Sequence, residues 1–452
     1  MDHYDDIIIG GGLSGLSAAV ELCARGHTVL VVEQSPHCGG RTRSFFDPAT
    51  GTHVDNGQHL MMGCYHAARR FLRIIGTDHL AFLQPSLRID YLNPSNAQKS
   101  LSCSKLPAPL HLLSGMLGFN AIPFNDRFAL MSVVKDLWNT SPAKELKLDQ
   151  ITAEEWLAQR GQSGAARKYL WDVVTIGALN NHPSKVSALL LYRVLRAAFL
   201  GKREHASLFI PKVGLSELFV DPAVRFIENH GGEVRTGIGV KQLQREGPHI
   251  RSVRTSEGKD LCAASFISAV PWYAAAELLP PAHSPLGLTS GRFDTRFHSS
   301  PIISIHLWLD REVTTLDFAA LIDTRIQWLF NKSKLLNERT LRSPIRQGLS
   351  LVISGAQEFI QLNKKQLVAL AMEDLQRVLP PARDARVVHS LVIKEKRATF
   401  LPAPGLDACR PDARTGYDNL FLAGDWTATG YPATIEGAVM SGRKAAEAVG
   451  EV

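Results

Sequence analysis

The chain has 452 residues, of which 45% are apolar and 21% charged, an ordinary globular composition that runs to about three domain lengths. A disordered, collagen-like or disulfide-stapled protein is excluded, because a chain of this size can bury a large core. Fifty Lys and Arg against 43 Asp and Glu leave a net charge of +7, which suits an anionic cofactor or membrane surface and is too weak to argue for nucleic acid.

The first strand is expected at Asp6-Ile7-Ile8-Ile9, a continuous apolar run of the kind buried on both faces of a sheet. A turn, Gly10-Gly11-Gly12-Leu13-Ser14-Gly15, leads into a helix through Leu16–Leu22 that ends near Gly26, and a second strand, Thr28–Val32, finishes at Glu33. This is a βαβ unit with parallel strands. Residues 76–204 are rich in apolar helix formers. Within them the stretch Leu106–Trp138 is strongly apolar but carries three prolines and two glycines, so it cannot span a bilayer as one helix. It reads either as a core element or as a membrane patch or the mouth of a lipid pocket.

A second alternation follows: a helix over Asp221–His230 stopped by Gly231-Gly232, then strands from Glu233 and near residues 240–243, 250–255 and 265–270. Residues 302–309 alternate like a half-buried strand, and residues 364–378 carry an amphipathic helix pattern. Asn419–Ala423 forms a last strand running into Gly424-Asp425, and a final helix starts near Ile435. The pattern divides the chain into one domain of residues 1–75, 205–270 and 401–452, with 76–204 and 271–400 inserted as a second, α+β domain.

Gly10-x-Gly12-x-x-Gly15 stands in the context a dinucleotide fingerprint requires, after a strand and at a helix start. Gly10 permits the turn, Gly12 lets a pyrophosphate approach the backbone, and Gly15 lets helix and strand pack closely. The helix N-terminus offers free N–H groups to the phosphates. Glu33, 18 residues after Gly15, is placed to bind a ribose hydroxyl. Gly39-Gly40-Arg41 supplies a second clamp, with backbone N–H groups and a guanidinium for pyrophosphate. Gly424-Asp425 adds an acid for a ribityl hydroxyl, and the helix after it faces the ring's electron-rich edge. These motifs at opposite ends of the chain select FAD over NAD.

On these motifs the chain resembles the FAD-dependent amine oxidase and phytoene desaturase superfamily from end to end, through Gly10–Glu33, Gly39–Ser44, Gly231–Val240 and Gly424–Ala438. Within it the chain is similar to the hydroxysqualene dehydroxylases through Val54–His59, Gly177–Asn180, Ile210–Phe219, Glu395–Phe400, Ala423–Thr427 and Pro432–Ala438. The resemblance implies an α/β fold: a Rossmann-like FAD-binding domain of the glutathione-reductase and amine-oxidase type, with an inserted α+β substrate domain. It implies that Val240 touches the adenine through its backbone, and that Gly57, Gln58 and His59 run beside the isoalloxazine. Thr434 and Ile435 would offer N–H groups near the flavin pyrimidine. Two positions depart from the pattern. Gln58 replaces a common glycine, and Thr434 replaces an aromatic that helps cage an amine, which counts against an amine substrate.

The implied reaction is loss of an allylic hydroxyl from hydroxysqualene and its replacement by hydride, giving squalene of the hopanoid pathway. Loss of water calls for an acid. His59 is the first candidate, beside a structural role bonded to backbone; Asp55 is a donor or a structural partner of its loop. His182 is a weaker candidate, and Tyr431 could flank the flavin or be an ordinary core aromatic. A polyprenyl substrate implies peripheral contact with the inner face of the cell membrane by a cytoplasmic protein, and possible upstream prenyl synthases as partners. The reductant of the flavin is not specified. The alternatives are a phytoene desaturase-like flavoprotein running hydride the other way, an amine oxidase, and a non-catalytic carrier of FAD and prenyl lipid. No metal site is expected. The six cysteines form no C-x-x-C pair, and no G-x-S-x-G, H-E-x-x-H or Walker sequence is present.

Overall fold

The computed structural model describes residues 4–95, 98–279, 296–336 and 342–450. Along the chain run β1 (Tyr4–Ile9), α1 (Leu13–Cys23), β2 (Val29–Glu33), the hairpin β3 (Ser44–Asp47) and β4 (Thr52–Asp55), and α2 (His66–Ile74). Next come β5 (Arg88–Leu92), β6 (Lys99–Ser102), α3 (Leu110–Gly118), α4 (Phe124–Trp138), α5 (Asp172–Leu179) and α6 (Ala188–Phe199). They are followed by α7 (Asp221–Asn229), β7 (Glu233–Thr236), β8 (Ala263–Ser268), β9 (Ser299–Leu309), β10 (Phe318–Leu321), β11 (Trp328–Asn331) and β12 (Gln347–Ser354). The chain closes with α8 (Lys364–Val378), β13 (Val387–Phe400), β14 (Leu420–Leu422) and α9 (Ile435–Val449).

Five of these strands make a parallel sheet in the order β7-β2-β1-β8-β14. Ile7 and Ile8 of β1 and Val29, Leu30 and Val31 of β2 are fully buried, as continuous apolar runs in a doubly covered sheet must be. Helices α1 and α9 cross closely at Gly442, where a Cβ would lie 2.1 Å from the Ser14 carbonyl oxygen. Ser17 Oγ donates to the Val439 carbonyl at 2.9 Å and fixes that crossing. The first and last helices are thereby locked onto the same sheet.

The second sheet has seven strands in the order β13-β9-β12-β11-β10-β5-β6, antiparallel except where β10 runs parallel to β5. One correction concerns β9. Its alternation reads as half-buried, yet most of the strand is buried on both faces. Ile303, Ile305, Leu307 and Leu309 pack against Leu367, Leu370 and Leu375 of α8, and Trp308 on the opposite face packs with Val54 and Ile345. The polar residues of the alternation, Ser304 and His306, turn inward instead of toward solvent. Helix α8 occupies the predicted residues because Asn363 and Gln366 form a reciprocal capping box. Helices α3 to α6 cover the far face of this sheet around a core that includes Trp156, Tyr192 and Leu195.

Leu106–Trp138 resolves into α3 and α4, and Pro109 and Pro123 stand immediately before their first turns, where a missing N–H costs nothing. Among the described residues no helix is long and apolar enough to cross a membrane, and no cluster of side chains could hold a metal ion.

Candidate active site

A cavity of about 900 Å³ opens at the C-terminal ends of the parallel strands and continues between the seven-stranded sheet and the helices. Its first end is built by the turns after β1, β2, β8 and β14, where open α/β sheets bind ligands. The α1 N-terminus faces it with no side-chain cap and no acidic residue in its first turn, and a Cβ on Gly12 would meet no atom within 4 Å. Free helix N–H groups beside open space suit a pyrophosphate. Gly10 takes φ +110° to make the turn. Gly15 does not line the cavity; it lies behind the turn, where a Cβ would be 2.0 Å from the Gly10 carbonyl oxygen.

Glu33 is held at the rim, its carboxylate accepting from the Gly11 and Ser35 N–H groups, each at 2.7 Å. Val240 lines the cavity beyond it. Arg41 reaches across from the Gly39-Gly40 turn, where Gly40 has φ +53°. It pairs with Asp425 at 2.8 Å and donates to the Ala398 carbonyl at 2.6 Å. The structure therefore joins two FAD motifs from opposite ends of the sequence. Gly424, Thr434 and Ile435 complete this end. Thr434 is the N-cap of α9, its side chain accepting from the Gly437 N–H at 3.1 Å. Tyr65 lies near the Thr434 side chain and lines the same cavity, so an aromatic ring does stand here, contributed by a segment the spacing before Glu436-Gly437 could not reveal.

The residues present fit FAD: an uncapped helix N-terminus, a ribose acid, a guanidinium for pyrophosphate and a second helix N-terminus at the opposite end. Gly57, Gln58 and His59 line the middle of the cavity. A methyl group on Gly57 would lie 3.5 Å from Ser304 Oγ and 3.8 Å from His59 Cε1, so these side chains converge.

Both acid candidates need correction. His59 Nδ1 lies 2.8 Å from the Gly57 carbonyl oxygen, and a carbonyl requires a donor, so the proton sits on Nδ1. Burial, with Arg41 and Lys332 adding to it, pushes the imidazole pKa below its usual value despite the Gly57 bond and the Asp55 charge. His59 is a neutral ring with Nε2 left as an acceptor. Asp55 does not line the cavity. Burial alone would raise its carboxyl, but Lys332 at 2.6 Å and bonds from Ser44 Oγ and the Leu215 N–H hold it below the ordinary carboxylate range. It is an ionised structural group. His182 is exposed and bonds Ser184, and Tyr431, whose phenol burial pushes up to about 12, also lies outside the cavity lining.

The sequence reading missed three groups. Lys332, buried opposite Asp55, carries no local signal in Asn331-Lys332-Ser333. His306 sits behind Ser304 on β9, its pKa depressed to about 3 by burial and by Lys332. Ser304 was visible only as the polar member of an alternating strand, and its hydroxyl lies 3.5 Å from the position a Cβ on Gly57 would take.

Beyond this junction the cavity is apolar. The sheet face supplies Val352, Trp328, Phe330 and Tyr91, and the helices supply Trp171, Val174, Gly177, Leu195 and Ala198. Four strand steps separate β9 from β5, about 19 Å at roughly 4.8 Å per step.

Residues 13–450 match the family described as flavin containing amine oxidoreductase. The chain is 31% identical to hydroxysqualene dehydroxylase of Sinorhizobium fredii over 97% of both chains. It is 25% identical to the chloroplastic/chromoplastic 15-cis-phytoene desaturase of Solanum lycopersicum, over 98% of this chain and 77% of that protein. The fold resembles that of putrescine oxidase bound to putrescine, with a TM-score of 0.70 at 17% identity covering all of both chains.

Proposed function

The chain belongs to the flavin-containing amine oxidoreductase family and is an FAD-dependent oxidoreductase, and from that premise we propose that it reductively removes the hydroxyl of hydroxysqualene to give squalene. The observation that carries the reading is the apolar arm, whose sheet and helix walls named above are uncharged, while the carboxylates that line the cavity, Glu33, Glu277, Glu395 and Asp425, belong to other segments. An amine would find no counter-charge there; a polyene with one hydroxyl fits. Bound FAD in its fully reduced form would supply both the hydride that replaces the hydroxyl and the proton with which that hydroxyl leaves as water.

The protein's share is orientation and exclusion of water. His59 Nε2 accepts a hydrogen bond from the substrate hydroxyl without taking its proton, which orients the oxygen's lone pairs toward the Ser304 hydroxyl and toward the proton with which the group departs. As the C–O bond weakens, the allylic cation is met by the faces of Trp171, Trp328 and Phe330. The apolar walls keep solvent from capturing it. Purified enzyme under reducing conditions should convert hydroxysqualene to squalene. Dehydrogenation of phytoene under oxidising conditions, with hydroxysqualene untouched, would transfer the assignment to a desaturase.

The substrate's insolubility puts its source in a bilayer, and the outer surface supports this. Among the described residues, twelve large apolar side chains are exposed and nine of them lie between Leu106 and Leu146. Leu110, Leu113, Met131 and Trp138 are exposed and also line the cavity, so its mouth lies among them. Lys105, Lys135 and Lys147 are exposed and form no ion pair among the described residues; they flank the patch and complement an anionic surface. Each inserted Leu or Phe contributes about 1.5–3 kcal/mol. The protein should co-sediment with vesicles containing anionic lipid, and Leu110→Ser, Leu113→Ser, Phe124→Ser and Phe128→Ser together should release it at least about tenfold. Equal sedimentation of both proteins would contradict this contact.

A further inference from the structure

Arg410 is an interior guanidinium that neither the FAD motifs nor the substrate reading uses. Its side chain is 0% exposed. Arginine has five N–H donors in a rigid fork, and here each has an acceptor. Nε donates to the Trp426 carbonyl at 3.4 Å; Nη1 to the Tyr431 carbonyl at 2.7 Å and Asp407 Oδ1 at 3.0 Å; Nη2 to the Asp425 carbonyl at 3.0 Å and Thr429 Oγ1 at 3.1 Å. Four of the five acceptors belong to one loop, Asp425–Tyr431. That loop leaves β14 at Gly424, carries the Asp425 carboxylate that faces Arg41, and runs on to Thr434 and the α9 N-terminus.

The remaining acceptor, Asp407, is shared. Its second oxygen takes Arg193 Nη1 at 2.6 Å, and Arg193 Nη2 takes Glu145 at 2.7 Å. Arg193 belongs to α6, whose next residues, Val194 and Leu195, line the apolar arm. One carboxylate thus ties a wall of the arm to the loop at the FAD end. The Phe400 ring, 5.1 Å beneath the guanidinium, closes its open face.

We propose that Arg410 is a positioning residue that sets the shape of the 425–431 loop, and hence of Asp425, for FAD, and that Asp407 makes the arm and the FAD end share that restraint. The first half rests only on the FAD site; the second half rests on the proposed substrate reading. A loop whose carbonyls converge on one point needs a donor with several fixed directions. Lysine keeps the charge but offers three donors from a single atom and cannot span four loop acceptors.

The test uses the FAD-loaded protein. Arg410→Lys should retain FAD about tenfold less well through dilution and should shift the flavin absorption bands. Its turnover should fall while KM stays near the parent value. Asp407→Asn, which keeps shape and loses charge, should weaken FAD retention less and should also raise KM, since it loosens Arg193. Thermal unfolding of the FAD-free proteins serves as the control: a variant whose only defect is stability would lower that transition and leave the flavin spectrum unchanged. A parent-like spectrum and parent-like FAD retention in Arg410→Lys would overturn the proposal. Unchanged KM in Asp407→Asn would remove the link to the arm. Absence of turnover in every protein, with the FAD effects intact, would count against the substrate reading and leave the role of Arg410 standing.

Discussion

Gly15→Ala should give a protein that purifies without yellow colour. The Cβ it introduces would stand 2.0 Å from the Gly10 carbonyl oxygen and 3.2 Å from the Ala269 side chain. Both are fixed: Gly10 lies at the end of β1 with its N–H bonded to the Val32 carbonyl at 2.8 Å, and Ala269 follows β8. The overlap is relieved only by pushing α1 away from the sheet, which moves its N-terminal N–H groups from the pyrophosphate position. Overpacking against side chains costs about 1–3 kcal/mol, and backbone cannot rotate out of the way as a side chain can. A loss of about 3 kcal/mol weakens FAD roughly a hundredfold. Titration of the refolded variant with FAD, followed by quenching of flavin fluorescence, measures it. Parent-like affinity would mean that the helix start is not the phosphate site. Substitution at Gly12 is the informative contrast, because a Cβ there meets nothing in the protein and should weaken FAD with little effect on the stability of the FAD-free chain.

Lys332→Met should be among the most destabilising single changes in the described part of the chain. The Lys332 and Asp55 side chains are 7% and 3% exposed, with 2.6 Å between Nζ and Oδ2. Removing one partner strands a buried charge, at about 3–5 kcal/mol. The double variant Asp55→Asn, Lys332→Met should recover part of that loss, since the amide can still bond Ser44 and Leu215. The pH dependence has a definite sign. Asp55 has a folded pKa below its unfolded value of about 3.9, so its contribution is present above that value and fades as the pH falls through the folded pKa. The parent should therefore lose stability on acidification below about pH 4 more steeply than the double variant. Parallel acid profiles would show that the pair carries no such linkage. The pair also ties the β4 end, just before Asn56–His59, to the segment after β11, so its loss should reach the junction beside FAD as well as the melting temperature.

The parts of the site written in backbone chemistry were legible in the sequence. A pyrophosphate needs glycines at fixed offsets and a helix N-terminus, so Gly10, Gly12, Gly15 and Glu33 mark themselves, and Arg41 and Asp425 follow the same logic. Helix α8 was legible to the residue because Asn363 and Gln366 state its start locally. Lys332, Ser304 and Arg410 were not, because each acts through partners more than a hundred residues away or through a loop whose shape is tertiary. The acid roles considered for His59 and Asp55 failed for a related reason. Residue type shows that a group can titrate, but the Gly57 carbonyl and the Lys332 ammonium decide which form it holds. The β9 alternation misled because both faces of that strand are covered, one by α8 and the other by the cavity and the β3–β4 hairpin.

The most direct measurement is an anaerobic single turnover. The FAD-loaded protein is photoreduced and mixed with hydroxysqualene in detergent, and the flavin absorbance is followed while the product is quantified. The account predicts reoxidation of the flavin with one squalene formed per flavin. A flavin that stays reduced with hydroxysqualene, and an oxidised flavin that becomes reduced on adding phytoene, would contradict it and reverse the direction of hydride transfer.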